Sequence, residues 1–261
     1  ATVTRQKYLT ASEKGPWANS YDRWRNDNLT NRYQGVQFGY TSAGRYTSWN
    51  DIWSYPGYKE RDILPGDYKY EDWNGDGEIN GQDEHPFAFD QTPWLQFSLN
   101  AGLQWKNLDF NMLLQGSALG SMEYKEPLHE IWGKNGGGAL TQFLDRWHPV
   151  DPKADPYDPS TVWTSGHYAY TGRWAKNNSA FNRVSTAYLR LKSIELGYTF
   201  PKLKQIPNAS LRIYANAYNL LTFTGVKFVD PEHPDDDLGR MYPLNKTYTC
   251  LLYTSDAADD K

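Results

Sequence analysis

At 261 residues, with 27 basic against 31 acidic side chains, the chain is near neutral and long enough for one large β domain or two ordinary ones. The charge balance points away from nucleic acid, and no apolar run approaches the length of a membrane helix. Only 39% of residues are hydrophobic yet 16% are aromatic, with 20 Tyr and 11 Trp, so side chains suited to interfaces and sugar contacts outweigh those of a conventional core.

The first ten residues are polar, without the apolar segment of a signal peptide, and there is no starting Met. A piece of something longer is therefore expected. Cys250 is the single cysteine, which excludes an internal disulfide.

Residues 1–31 mix Trp17, Tyr21 and Trp24 with Arg, Asp and Asn, and neither structural period stands out. A long loop is expected there. Val36, Phe38 and Tyr40 alternate and predict a strand, followed by a turn through Gly44. Ser48 ahead of Trp49-Asn50-Asp51-Ile52 predicts a capped helical turn. Residues 1–60 thus read as a loop region with a short strand.

Residues 61–90 carry a calcium-type loop, Asp72-Trp73-Asn74-Gly75-Asp76-Gly77-Glu78-Ile79-Asn80-Gly81-Gln82-Asp83. Oxygen-bearing side chains fall at its first, third and fifth positions, Gly77 at the sixth, apolar Ile79 at the eighth and an acid at the twelfth. Such an order wraps a hard cation, and Gly at position six permits the sharp turn. The expected ligands are Asp72, Asn74, Asp76, the Glu78 carbonyl, Asn80 and Asp83, with Ca2+ in a structural role. Asp83 is shorter than the usual Glu. No helical pattern flanks the loop, and Pro65 to Tyr70 reads as extended, so a helix-loop-helix sensor is not expected. The alternative is a solvated Asn/Asp/Gly turn with no metal.

Residues 91–249 open on the strongest signal in the chain. Leu95, Phe97, Leu99, Ala101, Leu103 and Trp105 alternate with polar residues, Lys106-Asn107 turns, and Leu108, Phe110, Met112 and Leu114 alternate again. This predicts a hairpin whose strands of about 10 residues match a tilted bilayer crossing. From 118 to 187 the chain shows little period, with glycines at 136–138, several Pro, and a possible short amphipathic helix over 140–147. Alternation returns at Ile194, Leu196, Tyr198 and Phe200, then at Leu211, Ile213, Ala215 and Ala217 opposite Arg212, Tyr214, Asn216 and Tyr218. A second long loop covers 224–245.

Short turns alternating with very long loops, and strands with one apolar and one polar face, suit a transmembrane β-barrel with lipid outside and water within. Only closed barrels and helices satisfy the backbone in lipid, so these strands are expected to belong to a larger ring.

Three runs carry a family resemblance. Residues 64–77, with Pro65-Gly66-Asp67, Tyr70 and Asp72-Trp73-Asn74-Gly75-Asp76-Gly77, resemble a segment of the SusC/RagA-type TonB-linked outer-membrane proteins. Residues 188–201 resemble that family's late strand, and Leu211-Arg212-Ile213-Tyr214 leading to Asn219-Leu220-Leu221-Thr222 resembles its Asn-Leu-Leu-Thr signature. The likeness spans roughly residues 20–249.

It implies an all-β fold, a partial antiparallel transmembrane β-barrel made of late strands with long extracellular loops, in the outer membrane of a Gram-negative cell. It further implies import of large nutrients, commonly glycans and sometimes peptides. The expected partners are a SusD-like surface lipoprotein as lid and TonB acting through a plug domain. The plug, the earlier strands and the closing strand have no counterpart here, so this piece alone is not expected to transport.

Candidate substrate contacts are Trp132, Trp147, Trp163, Tyr168, Tyr170 and Trp174 in the long loop, and Arg212 and Tyr214 on the polar strand face. The aromatics could stack on sugars or seat the lid; equally, they could fill the loop's own core or anchor at the membrane interface. Arg212 and Tyr214 could be ordinary pore lining.

No catalytic constellation is present. His85, His129, His148, His167 and His233 are scattered, and no metalloprotease or nucleophile-elbow spacing occurs. Asp235-Asp236-Asp237 reads as a solvated loop tip. The competing architecture is a secreted, calcium-stabilised β-sandwich that binds carbohydrate; a glycoside hydrolase fragment is more distant. Residues 250–261 resemble the translation of a transposase-type sequencing adapter and are set aside as an artefact tail.

Overall fold

Period-two patterning becomes a single antiparallel sheet with loops gathered at one end. The computed structural model describes residues 1–9, 29–57, 62–125, 128–129, 140–170, 179–201, 209–233 and 241–256. In chain order the elements are β1 (Thr2–Val3), β2 (Val36–Gly39), β3 (Ser42–Arg45), α1 (Trp49–Ser54), β4 (Tyr68–Tyr70), β5 (His85–Phe89), β6 (Leu95–Trp105) and β7 (Leu108–Ala118). They continue with β8 (Ser121–Glu123), β9 (His148–Pro149), β10 (Trp163–Thr164), β11 (Arg183–Ser185), β12 (Tyr188–Thr199), β13 (Ala209–Thr224) and β14 (Thr247–Asp256).

The main sheet has six strands in the order β1-β6-β7-β12-β13-β14 and does not close on itself. The predicted hairpin is present: β6 and β7 are 11 residues each, and Trp105 pairs with Leu108 across the Lys106-Asn107 turn. The link from β12 to β13 lies at that same end. Every long connection leaves from the other.

Directly paired residues share a face, so the register sorts the side chains. Leu99 faces Leu114 and Leu103 faces Phe110, while Ser98 pairs with Gln115 and Gln104 with Asp109. β12 keeps this division by means of a bulge. Leu189 and Leu191 pair with Gly116 and Leu114, the register shifts at Lys192, and Ile194, Leu196 and Tyr198 then pair with Met112, Phe110 and Leu108. A bulge adds one residue and restores the facing. Without Lys192 the second half of β12 would turn its apolar side chains inward.

The apolar face is uncovered: Leu99, Leu103 and Trp105 are 57%, 66% and 65% exposed. Trp105 and Tyr198 stand at the turn end of this face and Phe223 near the loop end, the placement of aromatic girdles at two lipid interfaces. A sandwich would bury this face against a second sheet. The sandwich alternative is thereby overturned; the fold is a partial antiparallel transmembrane β-barrel. No helix among the described residues is long and apolar enough to cross a membrane.

On the polar face, Arg212 bridges three strands. Its Nη2 donates to Asp109 Oδ2 at 2.5 Å and to Glu195 Oε1 at 2.7 Å, and the guanidinium lies 4.6 Å from the Tyr214 ring centroid. The route to Asp109 passes over Gly197, where a Cβ would collide with both partners.

Other expectations resolve locally. Ser48 caps α1, its hydroxyl accepting from the Asp51 amide at 3.2 Å. The helix expected over 140–147 is a single 3-10 turn, Thr141–Leu144, because no side chain caps its start and Asp145 leaves the helical region at ψ 60. β14 extends through Cys250–Asp256, pairing with Ala209–Ala215, so residues set aside on sequence supply strand backbone here. Its adjacent Leu251 and Leu252 break the two-faced pattern of the other strands. Trp17, Tyr21, Trp24 and residues 136–138 and 235–237 lie outside the described residues.

The two-faced wall predicts an asymmetric response to charge. In the lipid-embedded barrel, Leu99→Arg is expected to cost about 2–4 kcal/mol and Gln104→Arg far less. Denaturant unfolding from vesicles checks this, and equal effects would contradict the assignment of faces.

Candidate functional site

The loops at one end of the sheet fold onto one another. β2 pairs with β5, β3 with β4, β8 with β11 and β9 with β10. Their core is aromatic: Tyr40, Tyr68, Tyr70, Ile79 and Ala169 are buried together, with Phe181 packed against them. Tyr68 and Tyr70 meet the Phe181 ring at 4.7 and 5.5 Å. Burial and the hydrogen bond to Glu84 drive the Tyr40 phenol well above its ordinary range, so it stays a donor.

The calcium-type loop is fastened to this core through Ile79. Asp72 Oδ1 accepts the amides of Gly75 and Asp76 at 2.7 and 3.1 Å, and its Oδ2 accepts that of Gly77 at 2.8 Å. Gly77 takes φ +86, a conformation open to glycine, which lets the chain double back round Asp72. Asp83, 1% exposed, accepts from Trp73 at 2.9 Å, Asn74 at 3.4 Å and Asn80 at 2.8 Å. Asn80 Oδ1 accepts the Gln82 amide, and Asp76 Oδ1 that of Glu78, at 2.7 and 2.8 Å. Trp73 stacks on His85 at 3.7 Å.

The first and last acids thus build the turn from backbone donors. Among the described residues, no three carboxylates, imidazoles or thiolates converge as a metal cage. A hard-cation site here would draw also on amide and carbonyl oxygens.

Two cavities flank the core. One, of about 730 Å3, is lined by Arg45, Tyr68, Tyr124, Tyr168, Phe181 and Lys227 among others. Arg45 lies 4.4 Å from the Tyr68 ring centroid, and its guanidinium donates to the Gly66 carbonyl at 2.8 Å and to that of His167. His129 also lines this cavity, and burial pushes its imidazole down to about 4. The other cavity, about 690 Å3, opens on the polar strand face between Gln91, Gln96, Ser98, Gln115, Ser117 and Tyr188.

The β13–β14 connection reaches back to the mouth of this second cavity. Arg190, 1% exposed, donates to Asp230 at 2.5 Å, to Glu232 at 2.6 Å and to the Thr222 hydroxyl at 3.1 Å. The Tyr188 hydroxyl donates to Glu232 at 2.9 Å, and the Gln91 amide donates to the His233 carbonyl.

The candidate substrate contacts separate into groups. Trp147 and Trp163 line one cleft, with Tyr170 edge-on to Trp163 at 5.4 Å. Tyr168 packs on Phe143 at 4.6 Å and lines the larger cavity. Arg212 and Tyr214 stand at the opposite end of the sheet, Arg212 already engaged by two carboxylates. Trp132 and Trp174 lie outside the described residues.

Nothing local in the sequence pairs the strand residue Arg190 with loop acids some 40 residues away. From sequence, Trp49 reads only as the start of a capped helix.

No protein-family model matches the chain. Among curated proteins it is 29% identical to TonB-dependent receptor P3 of Formosa agariphila over 175 residues, covering 66% of this chain and 16% of that one. To TonB-dependent receptor P26 of the same organism it is 28% identical over 204 residues, covering 77% and 19%. The chain therefore spans less than a fifth of either relative's length.

Among solved structures, the RagAB peptide transporter superposes with TM-score 0.59 at 19% identity, covering 87% of this chain and 23% of that one. The open-open state of the RagAB peptide importer gives 0.55 at 17% identity, covering 95% and 25%. Strand pattern, sequence relatives and shared fold agree: the chain is similar to a segment of TonB-dependent receptors and shares the fold of the RagAB transporter.

Two outcomes follow from the loop geometry. Asp83→Ala strands three amide donors and is expected to cost roughly 2–4 kcal/mol locally. Hydrogen exchange at Trp73, Asn74 and Asn80 should quicken, whereas Gln82→Ala should leave them protected. His129 is held neutral, with a folded value of about 4 against roughly 6.5 when unfolded. Its stabilising contribution is complete above pH ~6.5 and is lost as pH falls through ~4. Melting between pH 7 and 4 should show this slope, and His129→Gln should flatten it.

Proposed function

We propose that the chain supplies late strands and cargo-facing loops of an outer-membrane importer for large nutrients, oligosaccharides foremost. A SusD-like lipoprotein would close over the loop layer, and TonB would supply energy through a plug domain. The observation that carries this reading is the two-faced wall: an uncovered apolar side suited to lipid, and a polar side opening into a cavity of about 690 Å3 beneath folded loops. The curated relatives are receptors, which supports transport over catalysis. A peptide cargo is the second reading, favoured by the RagAB neighbours, which are a peptide transporter and importer.

Fractionation tests the setting. The receptor carrying this segment is expected to pellet with outer membranes and to need detergent for release. A water-soluble monomer with a cooperative melt would overturn the proposal. Uptake of labelled oligosaccharides against labelled peptides by the same cells decides the cargo.

The Asp72–Asp83 loop is the proposed structural Ca2+ site, with Asp72, Asn74, Asp76, the Glu78 carbonyl, Asn80 and Asp83 as ligands. Its amide-held acids support this reading by presenting oxygens from a turn fixed in advance, on a loop whose Ile79 is buried in the aromatic core. Protease cleavage between residues 61 and 90 should speed up in chelator, and Asp76→Ala should abolish the difference. Identical cleavage with and without chelator would contradict bound metal.

A further inference from the structure

Thr47 to Trp49 at the start of α1, Pro65 ahead of β4, and side chains between 147 and 165 enclose a cleft of about 260 Å3. Trp49, Trp147 and Trp163 line it, Thr47, Ser48, Thr161 and Ser165 add hydroxyls, and no charged side chain among the described residues contributes. Each indole is positioned from behind. Trp147 lies so close over Gly66 that any Cβ there would overlap its ring. Trp163 is fixed edge-on by Tyr170 at 5.4 Å, and Trp49 packs on Trp53 at 6.0 Å. Rings set in advance lose little freedom when a ligand arrives.

The polar atoms give the second clue. The Nε1 atoms of Trp49 and Trp163 are both buried without a hydrogen-bond acceptor in the structure. Buried donors ordinarily find acceptors, but these two are closed to solvent as the rings stand, so the cleft offers a ligand the indole faces and the four hydroxyls. A charged group would be desolvated here with no counter-charge among the described residues, which disfavours uronates, sulfates and peptide termini.

We infer that this cleft binds one neutral sugar ring of a larger glycan, its C–H face on the indoles and its oxygens meeting the hydroxyl groups of Thr47, Ser48, Thr161 and Ser165. The volume suits one ring rather than a whole oligosaccharide. The inference rests on the importer reading for its setting, and it narrows the cargo at this position to uncharged glycan.

The test is calorimetric titration of the complete receptor in detergent with cellohexaose, laminarihexaose, maltohexaose, hexagalacturonate and hexa-alanine. At least one neutral hexasaccharide should bind, and Trp163→Ala and Ser165→Trp should each weaken it about tenfold or more. Ser165→Trp fills the cleft while keeping every indole, so it separates blockage from misfolding. Tyr242→Ala, an exposed ring that neither lines the cleft nor packs on its indoles, should stay within about twofold. Failure of all three neutral sugars to bind overturns the inference, as does undiminished binding in both cleft variants. Trp163-dependent binding of the galacturonate or the peptide overturns it too. Fractionation of the same cells reads the importer assignment separately: an outer-membrane receptor indifferent to the cleft sinks the subsite alone.

Discussion

Everything in this molecule follows from a backbone that must have all its polar groups paired while one side of the sheet meets hydrocarbon. Antiparallel pairing satisfies the groups within the wall, and strict alternation sends leucine and phenylalanine to one side and glutamine, serine and charge to the other. The bulge at Lys192 shows how firmly this holds: the sequence phase of β12 breaks between Leu191 and Ile194, and the backbone absorbs the break so that lipid still meets apolar side chains. The same rule confines charge to the inside, where Arg212 can join β13 to β7 across the bare backbone of Gly197.

The loop layer obeys a different logic. Away from the wall there is no lipid to bury the side chains and few aliphatic residues to build a core, so tyrosine and phenylalanine pack on one another and arginine lies over their faces. The Asp72–Asp83 turn is held to this core by Ile79, while Asp83 closes the turn on itself. A buried guanidinium at Arg190 reaches from the wall to two acids of a loop, tying the second long connection to the barrel mouth. Only the guanidinium is fully buried, and losing both part-exposed acids would leave its charge uncompensated, so the tie specifies position more than it adds stability.

The wall was legible because lipid selects by face and alternation records that selection residue by residue. The hairpin from Leu95 to Ala118 and the turn at Lys106-Asn107 are plain in the sequence. Periodicity alone shows β12 only from Ile194 on, since the phase break hides Tyr188 to Ser193, and the shift opposite Asn219-Leu220 hides the end of β13; the family resemblance covers both stretches. The loops were legible only where local chemistry is self-contained, as at the Ser48 cap and the Asp72–Asp83 turn. What lies between them depends on contacts such as Arg190 to Glu232 or Gly66 to Trp147, which no periodicity encodes. The aromatics of the long loop divide: Trp147 and Trp163 share a cleft with Trp49, whereas Tyr168 packs on Phe143 beside the larger cavity.

The central claim, that lipid covers one face of this sheet and water the other, is tested most directly by spin labels placed singly along β6 in membrane-embedded receptor with Cys250 replaced by serine. Labels at positions 97, 99 and 103 should be relaxed by dissolved oxygen and shielded from a water-soluble nickel chelate, and labels at 98, 100 and 104 should show the reverse. Loss of that two-residue alternation, with both sets equally open to the chelate or both shielded from it, would contradict the account.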